Sequence, residues 1–597
     1  MAALVSIIDS YTPQQIGKNG HVEYGWSNSI QEKILQFSFQ VTRSDENGII
    51  RLKNVLKGLL VILKQQIEFG SLLEKEVAKG YLSILYKMIG HTRDIVNGKG
   101  EYNLSYMMIH TWYDFFPDLS LFALKCLVDL DDKKIHPYGS WKDIKYFCRF
   151  CKEHGSSMDH PLIQSAICLI NEQLRKDLTS DSLTLAAKWV PREKSSFGWL
   201  YQALATNYFN EYMATADSQI RSEKAVLKCK TEYRKFISGL NKKLETLQVK
   251  QCANTWSDID FKNVTSISLG KQKKAFLNIN NKGETRYPHR NDRLLCAENF
   301  NSYIQKAVSG ETEMNGKRVG FADFTKQARE LYRSSGLNVD IEKDLLNSQW
   351  RDNSCQNDAL TNFVPVVDLS GSMTGDPMDV AIAMGIRIAE KSKLGKRVMT
   401  FSMNPRWINL EPYSDFVSQV EEIEKGDVGY NTDFHKVLNL FLDAIVANKM
   451  DPVDVQDMVI VLLSDMQIDN ADSDMQIDNA DIRDTSNYLK GVKRREALYT
   501  TINQKYAEAG IRVHGKPYKP PHMLFWNLRN TGGFPSLSNE KNVSMMSGFS
   551  PVLLNLFCDK GIDALQSCTP WSILEQILEN DRYKIMGDYL EIHLFHL

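Results

Sequence analysis

No apolar run in this chain approaches the ~20 residues that a membrane-spanning helix needs, so no membrane span is expected. The opening stretch, MAALVSIIDSYTPQQ, lacks both a basic leader and an apolar core, so no signal peptide is expected either. Glycine and proline are scarce, at 34 and 17 of 597 residues, which excludes a collagen-like chain and favours helices. Ten cysteines follow no regular framework, as suits reduced thiols in an intracellular, cytoplasmic setting. Catalytic signatures are missing too. There is no Gly-rich phosphate loop ending in Lys-Ser/Thr, no G-x-S-x-G elbow, and no H-E-x-x-H pair among the 12 histidines. Neither an enzyme nor a small-molecule substrate is therefore expected.

What is present is an ordinary globular composition, 43% hydrophobic and 24% charged, enough to build real cores. The net charge of −1 hides an asymmetry. Residues 1–360 hold 49 basic and 41 acidic groups, whereas residues 361–597 hold 23 and 32. Two bodies with different tasks are the simplest reading, beyond an N-terminal extension over residues 1–27.

From about residue 28 to 245 the pattern is helical. Leu52, Val55, Leu56, Leu59, Leu60, Leu63 and Ile67 recur at helical spacing, as do Ile163, Ala166, Ile167, Ile170 and Leu174 behind Pro161. Such segments follow one another with short polar breaks, which predicts a helical, HEAT-like repeat body over 28–360, although no fixed period is visible. Residues 221–250 carry nine basic and three acidic side chains, a basic face that a polyanion could use.

After Asn362 the grammar changes. Val364–Val367, Arg397–Phe401, Met458–Leu463 and His522–Trp526 are short apolar runs of strand length, separated by helical stretches. One of these stretches opens at Asp376-Pro377, and another is lined by Phe434, Val437, Leu438, Phe441, Leu442 and Ile445. Continuous apolar strands alternating with helices predict a doubly wound α/β domain over 361–597, its sheet mostly parallel and covered on both faces. Residues 464–472, SDMQIDNAD, are repeated unchanged at 473–481, a duplication that a loop can absorb because added loop length costs little. Residues 451–484 contain ten Asp and one Arg.

The first strand of this domain runs straight into Asp368-Leu369-Ser370-Gly371-Ser372. Gly429-Tyr430-Asn431-Thr432-Asp433 opens a helix, and Ser464-Asp465 ends a later strand. Ligands of open parallel sheets sit beyond the carboxyl ends of strands. A structural alternative is that Asp368 and the serines only cap the helix that follows, with Thr432 as another cap. The ordered set resembles the metal-ion-dependent adhesion site (MIDAS) of von Willebrand factor A domains, which are Rossmann-like. The resemblance implies Mg²⁺ (or Mn²⁺) held by the hydroxyls of Ser370, Ser372 and Thr432, with Asp368 and Asp465 acting mainly through bound water. Mg²⁺ takes about six oxygens and dehydrates reluctantly. Two carboxylates only balance the dication, so the metal keeps affinity for an acidic group of a protein partner. Asp474, in the second copy of the duplication, rivals Asp465, but only Asp465 follows an apolar strand.

A second resemblance covers about 30–597. His91-Thr92-Arg93-Asp94, Gly98-Lys99-Gly100-Glu101, Tyr138-Gly139-Ser140-Trp141-Lys142-Asp143, Lys188-Trp189-Val190-Pro191-Arg192, Tyr233-Arg234-Lys235 and Trp256–Phe261 follow in order. They resemble the TROVE module of the Ro ribonucleoprotein autoantigen, and more closely an uncharacterised branch of the same layout in plants and large DNA viruses. The resemblance implies a non-enzymatic, Ro-like ring that binds RNA, with Arg93, Lys99, Lys142, Lys188, Arg192, Arg234 and Lys235 as RNA contacts. Cations that neutralise phosphates release counterions and so drive association. The other reading of Arg93 and Arg192 is that they pair with nearby acids to hold repeats together. A metal-dependent protein-interaction scaffold, located in a virion if viral, is the alternative function.

Two weaker patterns carry less. Cys148-x-x-Cys151, with His154 and His160, lacks the second ligand pair that structural zinc usually has. Lys493-Arg494-Arg495 reads as a solvated basic run.

Overall fold

The computed structural model describes residues 13–18, 22–132, 134–334, 339–360, 362–401, 405–425, 434–467, 498–558 and 562–594. The chain is mixed α/β and forms two compact units, neither contiguous in sequence. One comprises Met1–Val55 with Glu313–Glu579, the other Leu56–Thr312 with Asn580–Leu597. A division at 360/361 is therefore not the one the packing makes. Residues 313–360 and the first 55 group with the sheet, and the last 18 group with the helices.

In the sheet unit, β1 (Gln14–Ile16) and β2 (Val22–Tyr24) form a small antiparallel pair. The main sheet is built from β3 (Phe363–Asp368), β4 (Arg397–Phe401), β5 (Arg406–Asn409), β6 (Val459–Ser464), β7 (His522–Asn527) and β8 (Val543–Ser547), in the order β5-β4-β3-β6-β7-β8. All pairings are parallel except β4 with β5. Every residue of β3, β6, β7 and β8 is buried, which is why the first three of these read as unbroken apolar runs. The short edge strand β5 leaves Trp407 half exposed, and its alternating pattern is what a strand open to water on one side requires.

Side chains alternate across this sheet. Val367, Val398, Val461, Leu463, Leu524 and Trp526 join one large core with the helix Asp376–Lys391. Gly385 of that helix lies so close to the sheet that a Cβ there would stand 2.5 Å from Val367 Cγ2. The helix begins at Asp376 with Gly375 as its N-cap and Pro377 in the first turn. Helix Phe434–Ala447 buries Phe434, Val437, Leu438 and Ile445.

Residues near the N-terminus are stitched to the far side of the sheet by hydrogen bonds to backbone groups. Asn527 Nδ2 donates to the Phe39 carbonyl (3.0 Å), Ser547 Oγ to the Ser38 carbonyl (3.0 Å), and Ser538 N–H to Glu32 (2.9 Å). These bonds satisfy polar groups that burial would otherwise leave unpaired, and they place helix Ile30–Gln40 with the sheet instead of with the helical body.

The helical unit is a succession of packed helices. Leu72–Arg93 packs on Tyr102–Tyr113 and on the terminal helix Asp581–Leu594; Trp141–Glu153 packs on Pro161–Thr179, and Gly198–Tyr208 on Gln219–Lys243. Ile163, Ala166, Ile167, Ile170 and Leu174 are all buried, as their spacing predicts.

Candidate metal centre and basic cleft

Strand β3 lies between β4 and β6, so the chain leaves β3 towards one edge and returns to place β6 on the other side. The strand order reverses at the β3/β6 junction, the place where an open sheet has a crevice at its carboxyl end. Asp368 is the last residue of β3 and Asp465 follows the last residue of β6. Both are fully buried.

The Ser370 N–H donates to Asp368 Oδ1 (2.9 Å), and Ser464 Oγ–H donates to Asp368 Oδ2 (2.6 Å). The hydroxyls of Ser370 and Ser372 lie 3.0 Å apart. Asp465 Oδ1 accepts the Gln467 N–H at 3.2 Å, while Asp465 Oδ2 is buried without a hydrogen-bond partner among the described residues. Ser370 is buried and Ser372 half-buried. Neither serine caps the long helix, whose N-cap is Gly375, and Ser370 makes no side-chain cap bond to the short turn it precedes. The capping alternative is not how these hydroxyls are used.

The electrostatics follow from burial. Desolvation, reinforced by the neighbouring Asp465 charge, pushes the Asp368 carboxyl up to about 7. Desolvation also raises Asp465, against the Gln467 N–H, the Ser372 hydroxyl and the charges of Arg529 and Lys18. Two buried acids, one of them with an orphaned oxygen, and two hydroxyls make a donor set that a hard dication fits. Thr432, the expected third hydroxyl, lies outside the described residues, as do Asp474 and most of the duplicated stretch. Among the described residues no group of three or more His, Cys, Asp or Glu is placed to hold a metal; this site rests on two carboxylates and hydroxyls.

Arg529 is a neighbour that the sequence motifs did not flag. Its Nη2 donates to the Thr374 carbonyl at 3.0 Å, and its Nε is buried without a hydrogen-bond partner among the described residues. The signal was positional: Arg529 lies two residues past the end of β7, the next strand of the same parallel run.

The seven basic candidates separate into three groups. Arg93 and Lys99 are buried and unavailable to a polyanion, a correction to their expected role. Arg93 forms a forked pair with Asp143 (2.7 and 2.9 Å), which also accepts from Tyr106 (2.6 Å) and from the Ser140 N–H (2.8 Å). Asp94 next to it accepts a second forked pair from Arg582 (2.8 and 2.7 Å). Lys99 and Gly98 belong to the turn that folds back on this helix end. The Lys99 N–H donates to the His91 carbonyl at 3.0 Å, and a Cβ on Gly98 would stand 2.1 Å from that oxygen. The quoted His91–Asp94 and Tyr138–Asp143 motifs are thus a structural clamp within the helical unit.

Lys142 and Lys235 are exposed. Lys142 stands over the rings of Tyr146 and Trp189 (5.4 and 5.8 Å), and Lys235 pairs with Glu232 at 2.9 Å. Lys188, Arg192 and Arg234 come together on the wall of a cleft of about 890 Å³. Lys194 and Lys242, which the motifs did not single out, share it. Cys148 and Cys151 are buried, and burial drives both thiols upward. The His154 ring stacks on Phe150, and His160 caps helix Pro161–Thr179.

Fold and site together define a two-unit protein: an acid-and-hydroxyl crevice at the end of a mostly parallel sheet, and a helical unit carrying a basic cleft. Residues 362–582 match a family described as a domain of unknown function (DUF7788), and residues 162–354 match another described as a domain of unknown function (DUF2828). The chain is also similar to "Uncharacterized protein L728" of Acanthamoeba polyphaga mimivirus, with 28% identity over 518 residues that cover 83% of this chain and 79% of the relative. That relative agrees with the large-DNA-virus likeness carried by the motifs.

Proposed function

We propose that the protein is a non-enzymatic binding protein, in which a von Willebrand A-type unit carries a divalent-metal ligand site and a TROVE-type helical unit binds RNA. One observation carries the reading. Asp368, Ser370, Ser372 and Asp465 converge at the strand-order reversal, and one buried carboxylate oxygen has no hydrogen-bond partner among the described residues. Asp368, Ser370, Ser372 and Asp465, with Thr432, would hold Mg²⁺ or Mn²⁺. A metal held mainly by neutral hydroxyls stays electrophilic and supplies a coordination position for an acidic oxygen of a partner.

RNA binding draws support from the cations of the cleft, which face water and have few acidic neighbours. Filter binding of a single-stranded oligoribonucleotide over a series of salt concentrations tests it. Affinity should fall steeply as salt rises, because each neutralised phosphate releases counterions. Affinity equal to that of a neutral control protein, without a salt slope, removes RNA as the ligand.

The orphaned Asp465 oxygen also favours a second reading, a metal-dependent protein-interaction scaffold. Affinity purification from a native extract, with and without EDTA, separates the two. EDTA-sensitive protein partners with no co-purifying RNA favour the scaffold, and RNA retained in EDTA favours the first reading.

A further inference from the structure

The cleft in the helical unit is chemically two-sided. Its cationic part is Lys188, Arg192 and Arg234, with Lys194 and Lys242 behind them, and Glu193 is the one acid on its wall. Glu193 is a weak counterion here. Its oxygens stand 3.6 Å from Lys230 and 3.7 Å from Arg234, and the Arg234 side chain is still 64% exposed. Among the described residues, Lys188, Arg192 and Lys242 have no carboxylate partner. Burial without a counter-charge pushes the Lys188 ammonium below its usual range, a penalty that a bound anion would relieve.

The lining also includes the apolar residues Trp189, Pro191, Ile237 and Val249. Two ammonium groups stand over the Trp189 ring, Lys145 at 5.3 Å and Lys142 at 5.8 Å from its centroid. Those contacts stabilise the ring by cation–π attraction. A bare anion has no use for an indole and a proline, and a purely apolar ligand has no use for five cations. At about 890 Å³ the cleft is in the range of small-ligand sites, about 300–1,000 Å³.

We propose that this cleft seats a nucleotide, with the phosphate among Lys188, Arg192 and Arg234 and the base against the Trp189–Pro191 wall. Phosphate–guanidinium pairing and base–aromatic stacking are the two interactions by which single strands are held without sequence readout. The inference rests on the RNA-binding reading and says which part of the helical unit does the binding. The same chemistry could arrive as one residue of a single strand or as a free nucleotide.

The test uses the full-length chain, with Trp fluorescence and calorimetric titration of a ten-residue oligouridylate, of UMP, and of inorganic phosphate. Wild type should bind the oligonucleotide, with UMP weaker but measurable and phosphate weaker still. Arg192→Ala/Arg234→Ala should lose at least tenfold in oligonucleotide affinity and lower the salt slope, since both side chains are exposed and can be removed without opening the core. Trp189→Phe should keep binding, and Trp189→Ala should lose several-fold with the fold intact by circular dichroism. Undiminished RNA binding by Arg192→Ala/Arg234→Ala would overturn the cleft while leaving the RNA reading in place. UMP binding without oligonucleotide binding would overturn the RNA reading and leave a mononucleotide site. Phosphate binding as tightly as UMP would overturn the seat for the base.

Discussion

Two clusters, one in each unit, bury charge in opposite ways. In the helical unit, Arg93 with Asp143 and Arg582 with Asp94 are forked pairs whose carboxylates also accept from Tyr106, Ser140 and Tyr583. In the sheet unit, Asp368 and Asp465 are buried as like-charged neighbours, and one oxygen of Asp465 has no hydrogen-bond partner among the described residues. A satisfied buried charge is a strut, and an unsatisfied one marks a place for a ligand. Sequence motifs do not separate the two kinds, because both are polar residues embedded in apolar runs.

The largest effect should come from cutting a strut. Arg93→Met leaves Asp143 buried and uncompensated, which should cost about 3–5 kcal/mol, read as a lower denaturant midpoint. Asp465→Asn makes the contrast sharp. It removes one of two like charges, so in EDTA the chain should unfold no earlier than wild type. A loss comparable to that of Arg93→Met would erase the distinction between the units.

Next in size is Gly385→Ala, whose Cβ meets Val367. It should cost about 1–3 kcal/mol by overpacking and disturb the strand that ends at Asp368. A neutral outcome would mean that helix and sheet approach less closely.

A smaller effect is a pH dependence within the helical unit. Burial, only partly offset by Glu101, pushes Lys99 from 10.5 down to about 7. Between those values the unfolded chain holds a proton that the folded chain has lost, so stability should rise with pH from about 7 towards 10.5. Buried His91, pushed from 6.5 to about 3 by desolvation and by Lys99, should add a rise of the same sign between those lower values. Lys99→Met should flatten the upper window, and an unchanged slope would contradict the burial of this ammonium. At the far end of the scale, Lys235→Ala removes a solvent-exposed pair and should change stability by less than about 1 kcal/mol.

Much of the sheet unit was legible from residues alone, for a physical reason. Strands β3, β4, β6 and β7 are buried on both faces, apart from half-exposed Arg397 at the start of β4, so their apolar runs announce them. Strand β5 is short, with an exposed Trp407, and β8 carries two serines among its five residues. One serine of β8 is satisfied by carbonyls of Ser38 and Val41 from the other end of the sequence. Pairings of that kind leave no local pattern. At the candidate metal centre, Asp368, Ser370, Ser372 and Asp465 were legible because they stand at strand ends, while Arg529 arrives from a loop without a motif. In the helical unit, Lys188-Trp189 and Arg192 led to the cleft. Arg93 and Lys99 looked equivalent to them, and only their burial, with Asp143 fifty residues from Arg93 as its partner, distinguishes clamp from surface.

The most direct measurement is a Mn²⁺ titration of the full-length chain, followed by electron paramagnetic resonance of the free ion. Wild type should take up one ion per chain, and Asp465→Asn and Ser370→Ala/Ser372→Ala should each abolish or severely weaken uptake while remaining folded. No uptake by wild type, or equal uptake by all three proteins, would contradict a metal centre at the end of β3 and β6.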